Sequence, residues 1–367
     1  MPRWTAHPSL AWCLVALHLV FMGVLYHVQG VQADKEALKY LGAAADLLRG
    51  DASGLLGRYA LYAGYILFLV PFVAVGMPLL AVGVQMLLGV AAAFALRRMV
   101  LRAGVPASVA NGAMAVLLFA HPVQQWSLSL YSEGLFIPLV VLFMEQALHP
   151  RPQGWRLVLL GACVALVRPT GLLFVVPAVV LPGHGFFGWL PVRLRWWLAA
   201  APMAGLLFAP ALPPDQLAGI VQQHVVLGFP QRPDAAYDPA VRTLAQVQAE
   251  AIRVDGAAHW AWTLVRRAVA LFNPMRPWFS HTHNLMVAPL LLLYPVALRG
   301  LWRTRGSAMG RTCLAVLAWN AMLVALTYAE WGGRFLAPLL PVVVLCAALG
   351  MPARAAMADR GTKKGAP

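Results

Sequence analysis

The chain has 367 residues, of which 61% are hydrophobic and 11% are charged, and its mean hydropathy is +0.71. Soluble domains are about one quarter charged, so this composition excludes a soluble globular protein and indicates an integral membrane protein. The formal net charge of +15 does not point to nucleic acid as a partner, because the basic residues cluster in short loops between apolar runs, as the positive-inside rule describes.

Apolar runs recur from Leu10 to Leu349, and they are continuous rather than alternating, so we expect helices rather than strands. The predicted fold is an all-α polytopic membrane protein with about nine to eleven transmembrane helices and further helices on the outer face. Three parts are expected: membrane helices in 1–212, an outer-face loop in 213–283, and membrane helices with a basic inner tail in 284–367.

The first apolar run, Leu10–Val28, is too long for the apolar region of a signal peptide, so we predict an uncleaved helix. If its N-terminus is inside, this helix ends at the outer face, and the first outer loop, 31–58, lies there. Basic clusters then mark the returns to the inner side, which leaves only Glu145 and Asp359 inside among the acidic residues. We therefore expect the acidic chemistry on the outer face, and the expected location is the periplasmic or extracytoplasmic face of a bacterial inner (plasma) membrane.

Two apolar runs, Tyr59–Gly76 and Pro78–Leu96, precede the next basic cluster, and the positive-inside rule lets only one of them cross. We predict that Tyr59–Gly76 lies partly in the outer interface. The remaining predicted spans are Val105–Ala120, Tyr131–Leu148, Leu157–Pro182 with a break at Arg168-Pro169, Trp196–Leu212, Asn284–Leu298, Thr312–Tyr328 and Phe335–Leu349.

The long outer segment 213–283 contains two stretches with apolar residues at helical spacing, Pro239–Val254 and Ala257–Phe272. We predict short amphipathic helices on the membrane surface.

The first candidate for chemistry follows the first helix, where QADKEALKY carries Asp34, Glu36 and Tyr40. Apolar residues at helical spacing predict an amphipathic helix that begins near Asp34. A carboxylate at that position has two interpretations. It either caps the helix and complements its dipole, or it takes part in a reaction.

The second candidate is Glu133 in LYSEGLF, which is preceded on the outer side by His121 in HPVQQW. The simpler interpretation of Glu133 is again an acid that opens a helix. The third candidate is Arg168 in VRPTG, which interrupts an apolar run. Such an arginine either extends to the interface from a helix end or serves a functional site, and we favour the functional site.

The fourth candidate is AEWGGRFLAPLLP, which sets Glu330 and Arg334 at the outer end of the last helix. They are spaced for a simple i,i+4 ion pair. Two outer carboxylates and two arginines at one depth also suit the handling of an anionic phosphate while a base removes a proton.

Other patterns carry no site. Gly183–Gly188 matches GxGxxG but follows a membrane helix, so it predicts a glycine-rich turn. His281 and His283 lack a third ligand nearby, and the four cysteines lack ligand spacing. We expect neither a metal nor a cofactor.

Taken in chain order, the four pieces resemble the GT-C superfamily of membrane glycosyltransferases, which use lipid-phosphate sugars as donors. The acidic residue after the first helix, with Tyr40 and AADLLRG, looks like the first outer loop of the branch of protein mannosyltransferases and lipid A aminoarabinose transferases. YSEGLF is similar to the GPI mannosyltransferase group, and VRPTGLL and RFLAPLLP resemble later helices of the superfamily. The motifs are short, but they occur in the right order over most of the chain.

The resemblance implies that Asp34 is the general base on an acceptor hydroxyl, and that Glu133 orients the acceptor or the sugar. Arg168 and Arg334 would bind the donor phosphate. The further substrate-binding candidates are Tyr40, His121 and Glu330. The implied partners are a polyprenyl-phosphate sugar, a lipid, glycan or protein acceptor, and membrane lipids.

Two departures from the superfamily stand out. Lys35 occupies the position at which many members carry a second acid, so Glu36 remains an alternative base. The chain is also short and carries no large outer C-terminal domain.

Two other classes of protein fit the same residues. A transporter or flippase of a lipid-linked or anionic solute also uses intramembrane arginines and carboxylates. A noncatalytic subunit of an envelope-glycan pathway would keep the fold but would not need Asp34.

Overall fold

A computed structural model describes residues 8–183, 185–208, 214–232, 235 and 241–352. Within these residues the chain is helical, with connecting loops and two isolated β-bridges. The basic tail 354–364, His184 of the glycine-rich turn and the start of the predicted helix Pro239–Val254 lie outside the described residues.

The described residues of the first half of the chain form ten α-helices, and most of them fall on predicted apolar runs. They are α1 (Pro8–Gln29), α2 (Glu36–Leu48), α3 (Ser53–Leu56), α4 (Ala63–Ala74), α5 (Leu80–Arg102), α6 (Ala107–Phe119), α7 (His121–Ser127), α8 (Ser132–Ala147), α9 (Gly154–Val167) and α10 (Leu172–Val180).

The part of the second half that the structure describes adds eight α-helices, including helices at both stretches of 213–283 that were predicted to be helical. They are α11 (Val192–Phe208), α12 (Pro214–Val221), α13 (Leu244–Asp255), α14 (Ala257–Phe272), α15 (His281–Val287), α16 (Leu293–Thr304), α17 (Ala308–Leu326) and α18 (Leu340–Gly350). Short 3₁₀ helices occur at Ala60–Tyr62, Pro169–Gly171, Gly185–Trp189 and Ala288–Leu292.

Among the described residues, four helical stretches are long and apolar enough to cross a membrane: Ser9–Gln29, Leu80–Arg102, His281–Thr304 and Ala308–Leu326. Several of the other predicted spans form apolar helices of 10–17 residues. The all-helical fold class is therefore confirmed, with four helices that meet the length expected of a membrane span.

Helix α8 lies at the centre of the packing. It contacts α5, α9 and α10, and nearly every side chain from Ser132 to Met144 is buried. Helix α18 is buried along its whole length and packs against α16. Gly300 permits this contact, since a Cβ atom there would lie 1.8 Å from the carbonyl oxygen of Cys346.

Two backbone bridges join loops that are distant in sequence. The Gln32 amide donates to the Leu128 carbonyl at 3.0 Å, and the Leu130 amide donates to the Gln32 carbonyl at 2.9 Å. This bridge holds the loop after α1 beside the loop before α8. A second bridge pairs Val226 with Ala329, so the outer segment is joined to the loop between α17 and α18.

The predicted break before Pro169 is confirmed. Helix α9 ends at Val167, and Arg168 has an extended backbone with φ −151° and ψ 145°. A proline disfavours the helical conformation of the residue before it, which accounts for this geometry. The break turns the Arg168 side chain out of the regular helix, beside the start of α8.

Candidate functional site

Side chains from four segments that are far apart in sequence meet at the N-terminal end of α8. Glu36 begins α2, Glu133 lies in the first turn of α8, Arg168 follows α9, and Arg334 precedes α18. Ion pairs connect all four residues. We call these residues the ion-pair network.

Glu133 is the centre of the network and its side chain is 0% exposed. Its Oε1 atom accepts hydrogen bonds from the guanidinium groups of Arg168 and Arg334. Its Oε2 atom accepts from the Ser132 hydroxyl at 3.4 Å. A buried carboxylate is tolerated when it is paired and hydrogen-bonded, and both conditions hold here.

Arg334 links the buried carboxylate to the surface. Its second contact is Glu36, whose Oε2 atom accepts from the terminal nitrogen of Arg334 at 2.6 Å. The guanidinium also lies over the rings of Trp126 and Tyr131, with its carbon 5.7 and 5.5 Å from the two centroids. Burial alone lowers the pKa of Arg334, but the carboxylates Glu133 and Glu36 outweigh it and raise the pKa. The group is therefore cationic.

Arg168 is buried and paired, which rules out the interpretation that it extends to the interface from a helix end. It is 5% exposed, and its guanidinium carbon lies 5.7 Å from the ring centroid of Phe136. Its Nε atom is buried and has no hydrogen-bond partner among the described residues. A buried donor of this kind can serve an anionic ligand.

Asp34 lies at the exposed end of the site and does not cap α2. The N-cap residue is Lys35, which makes no side-chain cap hydrogen bond. The Asp34 carboxylate instead accepts from the Tyr131 hydroxyl at 3.0 Å. Burial first, and then the hydrogen bond to Asp34, raise the pKa of Tyr131 to about 12, so this hydroxyl stays protonated and orients the carboxylate.

Lys35 has φ +44°, a left-handed conformation that is uncommon for residues other than glycine. Such strain is retained at functional sites. Here it separates Asp34 from Glu36, so that one carboxylate contacts Tyr131 and the other contacts Arg334.

Glu330 and Arg334 do not form the predicted i,i+4 pair. That pair requires a helix, but Gly333 has φ +76° and the segment forms a turn. The Glu330 carboxylate accepts from the backbone amides of Gly332 at 2.6 Å and Arg334 at 3.2 Å. Glu330 is 9% exposed, and burial raises its pKa. Its observed contacts stabilise the turn that presents Arg334.

Tyr40 lies beneath the network. It is 4% exposed, and its ring centroid lies 5.5 Å from that of Tyr62 and 5.2 Å from that of Tyr65. Burial, and then the neighbouring Tyr62 and the carboxylates Glu36 and Glu133, raise its pKa. The neutral ring packs below the site.

The contact that His121 makes lies outside the ion-pair network. The ring of His121 lies 4.7 Å from that of His283 at the start of α15. Burial, and then the nearby His283, lower its pKa to about 4, so His121 is neutral at neutral pH. Its helix α7 nevertheless ends close to the site, because Trp126 lies under Arg334.

The sequence analysis did not select Tyr131 and Trp126 as site residues. Both lie in the segments that carry the selected acid and histidine, and both are aromatic. Their position beside a cation depends on the bridge at Gln32, which no local pattern encodes. Among the described residues, no group of three or more His, Cys, Asp or Glu side chains is placed to hold a metal ion.

Comparison of the chain with protein-family models, with curated proteins and with solved structures finds no match.

The site changes along its length from buried and paired to exposed and unpaired. The side chains of Glu133 and Arg168 are 0% and 6% exposed, and those of Arg334 and Glu36 are 15% and 33% exposed. Within the described part of the chain, no cation pairs with Asp34. The arrangement offers an accessible carboxylate beside preorganised arginines.

Proposed function

We propose that the protein is a membrane glycosyltransferase of the GT-C type, which moves a sugar from a polyprenyl-phosphate donor to an acceptor hydroxyl on the outer face. The observation that carries this proposal is the contrast between Asp34 and the network. Asp34 is exposed and oriented by Tyr131, whereas Glu133 is buried under two arginines.

The reaction is a displacement at the anomeric carbon of the donor. The acceptor oxygen forms the new bond to this carbon, and the bond from the carbon to the phosphate oxygen breaks, with its electron pair left on the phosphate. Asp34 accepts the proton of the acceptor hydroxyl and releases it to water. General-base catalysis of this kind contributes about 10²–10⁴-fold.

Arg168 and Arg334 stabilise the charge that develops on the departing phosphate. Preorganised cations in a partly buried site act without reorganisation, which makes this a large contribution to catalysis. Glu133 holds both guanidinium groups in place, so its proposed role is to position the arginines. Glu36, which is more exposed and forms an ion pair with Arg334, is the carboxylate that donor phosphate would displace most easily.

The membrane setting belongs to the same proposal. The four long apolar helices support a location in a membrane, and the proposal puts the network at the periplasmic face of a bacterial inner membrane. A lipid carrier there supplies an activated sugar where no nucleotide sugar is expected.

The test is sugar transfer in membranes that contain the wild type, Asp34→Asn or Asp46→Asn, supplied with a panel of polyprenyl-phosphate sugars and native lipid and glycan extracts. Asp46 is a matched control, because it is an exposed acid of the first outer loop that pairs with Arg49. We expect transfer by the wild type and by Asp46→Asn, and a loss of about 10²–10⁴-fold in Asp34→Asn.

Equal transfer by all three proteins would show that Asp34 is not the base, and Glu36 would then be tested in the same way. Uptake or flipping of a lipid-linked sugar without formation of a glycoside would favour the transporter class.

A further inference from the structure

A second polar site lies in the outer segment, away from the ion-pair network. It is a cavity of about 370 Å³ at the C-terminal end of α13, within the size range of small-molecule sites. Its lining residues are Gln223, Gln231, Arg232, Val254, Asp255 and His259. Five of these six residues are polar, which distinguishes the cavity from the largely apolar one that α14 and residues 275–278 form nearby.

Gln223 organises this cavity. It is 4% exposed, its amide nitrogen donates to the Asp255 carboxylate, and its amide oxygen lies 2.8 Å from Nε2 of His259. Arg232 forms an ion pair with Asp255. On the other side of the cavity, Arg266 donates to the Gln231 amide oxygen at 2.7 Å. The polar groups are therefore held in fixed orientations.

The backbone at Gln223 is strained, with φ +54°. Gln223 is the second residue after α12, which ends at Val221, and glycine is favoured at this position after a helix end. A glutamine there costs stability relative to glycine. Because the backbone would favour glycine, we infer that glutamine is present for the contacts of its side chain. That side chain contacts Asp255 and His259, which line the cavity.

The chemistry of the lining selects the class of ligand. Asp255 only accepts hydrogen bonds, Arg232 only donates them, and each glutamine amide does both. The Asp255 carboxylate would repel a phosphate, and the Arg232 guanidinium would repel a protonated amine. A neutral hydroxyl both donates and accepts, so several hydroxyls on one ring match this mixed set.

The segment that forms the cavity is bridged to the loop that carries Arg334. Gln223 is three residues from Val226, a span of at most about 11 Å, and Val226 is bridged to Ala329. The Leu227 amide donates to the Ala329 carbonyl at 2.8 Å, and Glu330 follows directly in the chain. We expect an acceptor glycan to extend from the cavity along this bridge toward Arg334.

We propose that this cavity binds a neutral sugar unit of the acceptor, so that the acceptor is a glycan or carries one. This inference rests on the proposed transferase function only where it identifies the bound sugar as part of the acceptor. The recognition of a neutral polyhydroxylated ring stands on the cavity alone.

The test is ligand-observed saturation-transfer NMR on the purified full chain in detergent. The probes are the methyl glycosides of glucose, mannose and galactose, with glucose 6-phosphate and glucosamine as charged probes. The variants are Gln223→Gly and, as matched control, Gln222→Ala, whose glutamine is adjacent but does not line the cavity. Melting temperature is recorded for each protein.

We expect at least one neutral glycoside to bind the wild type and Gln222→Ala. In Gln223→Gly the affinity for this glycoside should fall by roughly tenfold or more, the effect of losing about one well-placed polar contact. The melting temperature should not fall, because glycine relieves the backbone strain. If Gln223→Gly does not fold, His259→Ala, which alters an exposed side chain, must show the same loss. The absence of glycoside binding, equal binding by wild type and variant, or preferred binding of a charged probe would overturn the proposal.

The two proposals can fail separately. Glycoside binding that depends on Gln223, in a protein that transfers no sugar from any donor, would contradict the transferase function and leave the sugar site standing. Transfer that depends on Asp34, with an unchanged KM for glycan acceptor in Gln223→Gly, would contradict the sugar site alone.

Discussion

The buried and the exposed end of the candidate site use the same kind of group in opposite surroundings. Glu133 is fully buried and bonded by two arginines, whereas Asp34 is exposed and bonded by a neutral tyrosine hydroxyl. A buried charge is costly unless its partners are complete, while an exposed one remains solvated. The comparison indicates that Glu133 maintains the geometry of the site, whereas Asp34 is accessible to a ligand.

The buried end is expected to give the largest effect on stability. Replacing Glu133 by Gln leaves Arg168 and Arg334 without their central counter-ion, and the loss of one partner of a buried pair costs about 3–5 kcal/mol. Thermal unfolding of the detergent-solubilised protein measures this. Asp46→Asn, in an exposed pair, is the control, and an equally small change in both variants would contradict the comparison.

The exposed end is expected to affect activity rather than stability. Tyr131→Phe keeps the ring under Arg334 but removes the hydrogen bond that orients Asp34, and the loss of one such bond lowers kcat by about 2- to 10-fold. Steady-state transfer kinetics measure the change.

Tyr62→Phe is the control for this prediction. Tyr62 lies beside Tyr40, and within the described residues it makes no hydrogen bond to a site carboxylate. An equal loss in both variants would show that the Tyr131 hydroxyl does not act through Asp34.

The smallest effect is expected at Glu330, in the turn before Arg334. Burial raises its pKa, so the fold favours the neutral acid. Protonated Glu330 contributes its full share to the stability of the folded protein below pH 4.5, the ordinary pKa of a glutamate. This contribution is lost as the pH rises through the raised pKa. Glu330→Gln accepts the same two amide hydrogen bonds without titrating.

Melting temperatures measured between pH 4 and pH 8 test this prediction. The wild type should lose more stability with rising pH than Glu330→Gln does, and identical slopes would show that Glu330 does not titrate differently in the folded protein.

Local pattern was sufficient for much of the fold. The apolar runs and the Arg168-Pro169 break predicted helices α1, α6, α8 and α9 closely, because a run of apolar residues and a proline act on the chain next to them. The helix Ala257–Phe272 was predicted with its observed ends. The 3₁₀ helix Ala288–Leu292, which begins with Ala288-Pro289 and interrupts 281–304, was not predicted.

Local pattern was insufficient for the partners of the charged residues. Spacing paired Glu330 with Arg334, but Gly333 turns the chain, and Arg334 contacts Glu36 and Glu133 instead. The alternative in which Asp34 caps α2 also depended on spacing, and the contact with Tyr131 replaces it. These partners are separated by about a hundred to three hundred residues, so no helical period relates them.

The sequence by itself determined the helical class, the positions of most helices and the identity of the four charged segments, because hydrophobic periodicity and chain breaks are local properties. Only the tertiary structure decided which carboxylate is buried, which is exposed and which arginine each one meets. Those outcomes depend on the bridge at Gln32 and on the packing around α8, where the cost of an unpaired buried charge selects one arrangement of the distant segments.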